Sequence, residues 1–328
     1  MIGITATVPV EIIYAAGRIP ADLNNIFITG SHPNRLVSRA EAAGFSHGIC
    51  AWIKGIYATV MDRDIRNVIA VTGGDCSNTI ALGEVLAGEG INIIPFEYPL
   101  HRDRDFLKQQ MDGLAQTLSA TWTDIGEAKS ELDRVRLKLK RLDRLTYLEN
   151  KITGAENHLF LVGSSDFEGD VAGFEQRLDR FLAEADARAP MQEDIRLGYL
   201  GVPPIFSGFY EFIETIGGRV VYNEVQRQFS MPYGHEDIFD QYLSYTYPYD
   251  AEGRLRDIAE AVKERRLDGL IHYTQTFCYR QIYDIVLRKA LDVPMLTLEG
   301  DRPGPIDGRT ALRLETFVHM LKERKGVF

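Results

Sequence analysis

The chain has 328 residues, enough to bury a large core and to form two domains of ordinary size. Its net charge of -10 argues against a surface for nucleic acid or an anionic membrane, both of which need clustered positive potential, so its expected partners are small molecules and proteins. No run approaches the roughly 18 apolar residues of a membrane span, and no basic region followed by an apolar one opens the chain, which predicts a cytoplasmic protein without a membrane segment.

In chain order, the first clear unit is Asn67-Val68-Ile69-Ala70-Val71-Thr72, a short β-rich run closed by the turn Gly73-Gly74-Asp75, with helical spacing from Ser77 onward. Ile91-Asn92-Ile93-Ile94-Pro95 follows as the next strand. A strand, a helix and another strand make a crossover unit, and such units build parallel sheets, so residues 1–102 read as an N-terminal α/β domain. Residues 103–152 hold almost no Gly or Pro, and Leu132, Val135, Leu139, Leu142, Leu145 and Leu148 recur at three- and four-residue steps. That pattern predicts a long amphipathic helical segment, and 103–158 reads as a connecting region. Its basic run Arg134, Arg136, Lys138, Lys140 and Arg141 is interleaved with Glu131, Asp133 and Asp143, which reads as a solvated face. Residues 159–328 repeat the α/β grammar. Strands are expected at 196–200, 219–222, 269–273 and 293–298, and helices at 209–216 and 281–290.

Cys50, Cys76 and Cys278 each stand where an apolar run gives way to a polar loop that opens a helix. An odd, sparse set of thiols suits a metal better than a disulfide-stapled secreted domain. A helix N-terminus lowers a thiol's pKa and welcomes an anion, and ligands of open α/β sheets bind beyond the carboxyl ends of strands such as those before Cys76 and Cys278. The wide spacing argues against a zinc ribbon. Three thiolates with His47, His101 or His272 on zinc, an iron-sulfur cluster, and inert packing of each thiol all stay open at this point. Iron-sulfur clusters usually take four thiolates, so three would leave one iron open to other chemistry.

The opening Thr7-Val8-Pro9-Val10-Glu11-Ile12-Ile13-Tyr14-Ala15-Ala16-Gly17-Arg18-Ile19-Pro20 resembles the start of the 2-hydroxyacyl-CoA dehydratase and benzoyl-CoA reductase family. The rest keeps step: Cys50 with Lys54-Gly55, Asp75-Cys76 after a strand, Phe277-Cys278 after Ile271-His272-Tyr273, Leu298-Glu299-Gly300-Asp301, and Gly308 followed by Arg313-Leu314-Glu315-Thr316-Phe317. The resemblance implies two Rossmann/flavodoxin-like domains with a cluster between them. It implies that Cys50, Cys76 and Cys278 hold a 4Fe-4S cluster, or half of an 8Fe-9S double-cubane cluster shared between subunits, with one iron site open. It also implies a low-potential reductase or dehydratase whose electrons come from a separate ATP-hydrolysing iron-sulfur activator. The chain has no G-x-x-x-x-G-K-S/T phosphate loop of its own, in keeping with ATP use by a partner. The family works as paired related subunits, so a homodimer or a heterodimer with a homologous chain is expected.

Further candidates surround this centre. Glu11 reads either as a first-turn carboxylate or as a buried acid near the cluster. Lys54, four residues after Cys50, neutralises the cluster or a substrate oxygen, or extends to water. His272 and Tyr273 are candidate proton donors against the alternative of a satisfied core histidine. Glu299 and Asp301 follow a strand, Arg313 and Glu315 lie on the final helix, and Gly73 and Gly74 allow close backbone approach or a tight turn. Two other readings compete: a non-catalytic cluster or electron carrier, and a zinc-stabilised sugar- or nucleotide-binding protein.

Overall fold

The computed structural model describes residues 1–192 and 195–327. The chain begins with β1 (Ile2–Ile4), α1 (Val10–Ala15), β2 (Pro20–Asp22), α2 (Leu23–Thr29), α3 (Pro33–Ala42) and α4 (Ala51–Asp62). There follow β3 (Asn67–Gly73), α5 (Asn78–Gly88), β4 (Asn92–Glu97), α6 (Arg104–Leu118), α7 (Trp122–Tyr147), α8 (Gly154–Gly163) and α9 (Val171–Asp186). The four strands form one parallel sheet in the order β2-β1-β3-β4. Val68, Ile69, Ala70 and Val71 of β3 are all buried, as expected of a parallel strand covered on both faces, where apolar residues run on without alternation.

Helix α4 is the centre of this unit. Nine of its residues, from Ala51 to Val60, are buried, and Ile53, Ile56, Tyr57 and Val60 pack with Leu23, Val68, Leu82, Leu86 and Ile91. Gly55 lets α4 approach α2 closely, since a Cβ there would lie 2.4 Å from Phe27 Cγ. The amphipathic region is not one helix. Asp103 caps α6 by accepting from the Asp105 and Phe106 amides, and Ser119 ends it in a left-handed conformation at φ +61°. Thr121 then starts α7 by accepting from the Asp124 amide while donating to its carboxylate. Such side-chain caps satisfy the amides that open a helix.

The second half continues with β5 (Ile195–Leu200), β6 (Phe206–Ser207), α10 (Phe209–Thr215), β7 (Gly218–Asn223), α11 (Glu224–Phe229), α12 (Ile238–Ser244) and α13 (Ala251–Glu264). It ends with β8 (Gly269–Gln275), α14 (Tyr283–Ala290), β9 (Met295–Gly300), β10 (Gly304–Pro305) and α15 (Gly308–Lys325). Strands β7-β5-β8-β9 form a second parallel sheet, and β10 pairs with β6 in a two-stranded one. Both β7 and β8 are buried along their whole length.

The chain divides into two compact units that are each discontinuous in sequence. The first comprises Met1–Leu137, Gly163–Gln176 and Phe229–Asp250, and the second Lys138–Val162, Arg177–Gln228 and the residues from Ala251 onward. Among the described residues no helix is long and apolar enough to cross a membrane.

Candidate functional site

The two four-stranded sheets share one order: second strand, first strand, third strand, fourth strand. In such a sheet the connections leave in opposite directions from the first and third strands, which opens a crevice beyond their carboxyl ends where ligands of α/β proteins bind. Cys76 follows β3 in the first unit and Cys278 follows β8 in the second, so the two thiols occupy corresponding positions. Cys50 is the N-cap of α4, and Cys278 is the N-cap of a short 3-10 turn that leads into α14. All three are half-buried and none is in a disulfide.

The donor set suits a thiolate-bound iron-sulfur cluster in its chemistry: three soft sulfur donors, each at the opening of a helix where amide N–H groups favour the thiolate. Among the described residues, however, no three His, Cys, Asp or Glu side chains stand close enough together to hold a metal ion. Cys50 and Cys76 belong to the first unit and Cys278 to the second.

The loop before Cys50 is pinned by a buried cation. Lys54 Nζ donates to Glu41 Oε1 at 2.7 Å and to the His47 carbonyl at 3.1 Å, and its side chain is 3% exposed. The ammonium is thus bound within the protein rather than extended to water. His47 is exposed, with Nδ1 3.1 Å from the same Glu41 oxygen, and His101 is exposed as well. At the Cys76 turn, Gly74 has φ +87°, and a Cβ there would lie 2.8 Å from the Pro248 carbonyl and 2.9 Å from Tyr98 Cβ. Gly73 is similarly close to Glu97, at 3.1 Å. The Cys76 carbonyl accepts from the Thr79 amide at 2.9 Å as α5 begins.

Cys278 follows Phe277, which is held at φ +66° although it is bulky and 61% exposed. The Cys278 amide donates to the Gln275 carbonyl at 2.9 Å. Gln281 Nε2 donates to that carbonyl and to Glu299 Oε1, each at 3.2 Å, which ties the exposed Glu299 to the turn. Gln275 Nε2 donates to the carbonyl of Asp301, whose side chain is exposed. Tyr273 is buried and donates its hydroxyl to Gln275 Oε1 at 2.9 Å.

His272 is buried, with Nδ1 3.0 Å from Asp284 Oδ1. Burial and the nearby Arg254 guanidinium push the imidazole pKa down. Asp284 is held below the usual carboxylate range, because hydrogen bonds from Thr297, Arg288 and His272 outweigh its burial. With a carboxylate as acceptor, Nδ1 carries the proton and the neutral ring presents Nε2 as an acceptor. Arg313 is half-buried and donates to the Thr297 carbonyl at 2.7 Å, while Glu315 is exposed.

Glu11 lies in the first turn of α1 and is fully buried. It accepts from Arg136 Nη1 at 2.7 Å, Gln241 Nε2 at 2.8 Å and the Tyr242 hydroxyl at 2.7 Å. Burial alone would raise its pKa, but the guanidinium and the tyrosine outweigh burial and hold it below the ordinary value. Here the reading of the basic run as a solvated face is corrected: Arg136 is 3% exposed. It stands four residues after Leu132 and three before Leu139, on the buried stripe of α7. The flanking Arg134, Lys138 and Arg141 pair instead with Glu175, Asp179 and Asp186 on more exposed faces.

Two other buried charge groups carry no signal in a single sequence. Glu224, which opens α11 at the end of β7, pairs with Arg254 through both carboxylate oxygens and accepts from the Gly201 amide at 2.9 Å. Asp22, at the end of β2, accepts from the Ser165 hydroxyl, and its amide donates to Asp166 Oδ2 at 2.6 Å.

The sequence profile of the family described as 2-hydroxyglutaryl-CoA dehydratase, D-component, matches residues 5–321. A comparison with curated proteins finds no match.

Proposed function

The chain belongs to the 2-hydroxyglutaryl-CoA dehydratase D-component family, a dehydratase-type component of a 2-hydroxyacyl-CoA dehydratase system, and from that premise we propose that it is the iron-sulfur component of an ATP-dependent low-potential dehydratase or reductase. Cys50, Cys76 and Cys278 are its proposed ligands, to a 4Fe-4S cluster or to half of a shared double cubane. When bound, the cluster supplies one-electron chemistry and an iron site open to a substrate or small ligand. The observation that carries this reading is that Cys76 and Cys278 follow the third strand of two sheets of identical order.

The chain's own groups have supporting parts in this proposal. Lys54, through Glu41 and the His47 carbonyl, keeps the Cys50 loop in one shape. Gln281 does the same for the Cys278 turn and keeps Glu299 beside it. His272, oriented by Asp284, is a proton acceptor at Nε2 near neutral pH. Glu11 and Arg313 are bound by protein partners and serve the framework that carries these turns. ATP hydrolysis and electron delivery fall to a separate activator protein, and a homologous second subunit or a second copy completes the enzyme.

Anaerobic purification and reconstitution test the reading. A brown protein with about four irons and matching acid-labile sulfide per chain is expected, and Cys50→Ser, Cys76→Ser and Cys278→Ser should each lower that content sharply. Colourless, iron-free protein after reconstitution refutes it, and stoichiometric zinc without sulfide points to the zinc-stabilised alternative. The family description as one component of a dehydratase favours a second form of the proposal, a subunit of a heteromeric 2-hydroxyacyl-CoA dehydratase. Turnover of a 2-hydroxyacyl-CoA with activator and ATP, only when a homologous chain is added, would support that form over a non-catalytic carrier.

A further inference from the structure

In the first unit, a tyrosine-rich strap from the late segment of the chain braces the turn that carries Cys76. The strap is Tyr245-Thr246-Tyr247-Pro248-Tyr249, directly after α12. It is fastened at both ends. Before it, the Tyr242 hydroxyl donates to Glu11 Oε2 at 2.7 Å and lies 3.1 Å from the Val8 carbonyl. After it, Arg102 Nη1 binds both oxygens of Asp250, at 2.9 and 2.8 Å, and the guanidinium lies 4.8 Å from the Tyr249 ring centroid. The Tyr249 hydroxyl folds the strap back by donating to the Tyr242 carbonyl at 2.9 Å.

Between these anchors the strap meets the turn directly at Gly74 and Asp75, and reaches Gly73 through Tyr98. The Tyr98 amide donates to the Gly73 carbonyl at 3.1 Å, and the Tyr98 ring meets Tyr245 and Tyr249 edge-on at 6.0 and 5.8 Å. Pro248 packs against Gly74 so tightly that no side chain fits there. The Tyr247 hydroxyl, its ring stacked on Tyr245 at 6.3 Å, donates to Asp75 Oδ1 at 3.4 Å. The next residue is Cys76.

We propose that Tyr247 is a positioning residue for Cys76: through Asp75 it fixes the direction of the thiol before any ligand arrives. The proposal deepens the reading of Cys76 as a cluster ligand and rests on it for its biological meaning. A half-buried thiol on a fastened turn meets a reagent in few orientations. Releasing the carboxylate lets the turn sample more of them.

The test uses the iron-free full chain under anaerobic conditions, with iodoacetamide alkylation followed at each cysteine by peptide mass spectrometry. The ratio of the Cys76 rate to the Cys50 rate is the readout, because both thiols lie in one unit and general loosening cancels. Tyr247→Phe removes only the hydroxyl and is expected to raise that ratio about threefold, the effect of losing one modest hydrogen bond. Asp75→Ala removes the acceptor, is expected to shift the ratio in the same direction when rates are compared at equal thiolate fraction, and serves if Tyr247→Phe fails to fold. A ratio unchanged in the folded variants, or equal acceleration of all three thiols, overturns the proposal. Iron and sulfide content of the wild-type protein reports separately on the cluster reading. A shifted ratio in a protein that never takes up iron would therefore leave the positioning role standing and refute only the cofactor.

Discussion

Replacing Arg136 with methionine leaves the shape of its side chain roughly intact and takes away the charge that balances Glu11. The carboxylate has no access to solvent and is left with neutral donors, among them the Gln241 amide and the Tyr242 hydroxyl. Removing one partner of a buried ion pair costs about 3–5 kcal/mol, because the remaining charge is stranded in a medium that solvates it poorly. The chain has two tryptophans, Trp52 and Trp122, and both lie in the first unit with Glu11 and Arg136. Tryptophan fluorescence during urea unfolding therefore reports on the unit that is perturbed. With a urea slope of about 2 kcal/mol/M, the midpoint of Arg136→Met is expected to fall by roughly 1.5–2.5 M at pH 7. The deficit also has a pH signature. In the wild type the Glu11 pKa is depressed, so its stabilising contribution is present above the unfolded value and is lost as pH falls through the folded one. Without the guanidinium, burial raises the Glu11 pKa, and the folded variant takes up a proton that the unfolded chain releases. The gap between variant and wild type should then narrow as pH drops from 7 towards 5. A midpoint shift below about 0.5 M, or a gap that does not change with pH, would refute the argument that this pair is a buried charge compensation.

Two further outcomes follow from the same unit. Asp166 is pushed up to about 7 by burial and by the neighbouring Asp22 carboxylate, so the stability tied to its proton is complete below about pH 4 and is lost as pH rises through about 7. Asp166→Asn is expected to flatten the dependence of the urea midpoint between pH 5 and pH 7.5, and an unaltered slope would contradict this. Gly55→Ala places a methyl against the Phe27 ring and should destabilise the unit by about 1–3 kcal/mol. Shrinking the ring with Phe27→Leu should recover part of that loss, and a double variant no better than the product of its parts would contradict the close approach.

Much of the sheet architecture was legible because parallel strands buried on both faces leave continuous apolar runs. The run at 67–72 became β3, the run at 269–273 became β8, and both cysteine-bearing turns followed them. Strands β1 and β2 escaped notice because three residues each carry no period. The helical stretch beginning at 103 looked unbroken because its break uses neither Gly nor Pro. Ser119 in a left-handed conformation and Thr121 three residues before Asp124 do that work, and the second of these is a cap signal that a closer count could find. Arg136 was recoverable in the same way, from its step of four after Leu132. Its partner was not, since Glu11 lies 125 residues away. Tyr247 and Asp75 are 172 residues apart, and pairing at such range leaves no trace in one sequence.

The first unit's discontinuity has a consequence for how the protein is made. Synthesis delivers Cys50 and Cys76 early, together with the β1-to-β4 sheet, yet the donors for Glu11 on α12 and the strap over Gly74 arrive only with Phe229–Asp250. Until then Glu11 is without the Gln241 and Tyr242 donors, and the Cys76 turn is unbraced. Domains that fold as the chain emerges do so from the N-terminus onward, but this one cannot finish until residue 250 has left the ribosome. Any cofactor loading that needs a set Cys76 turn is thereby postponed until that late segment has emerged, and a chain truncated before α12 would carry both early thiols without the strap that braces the second.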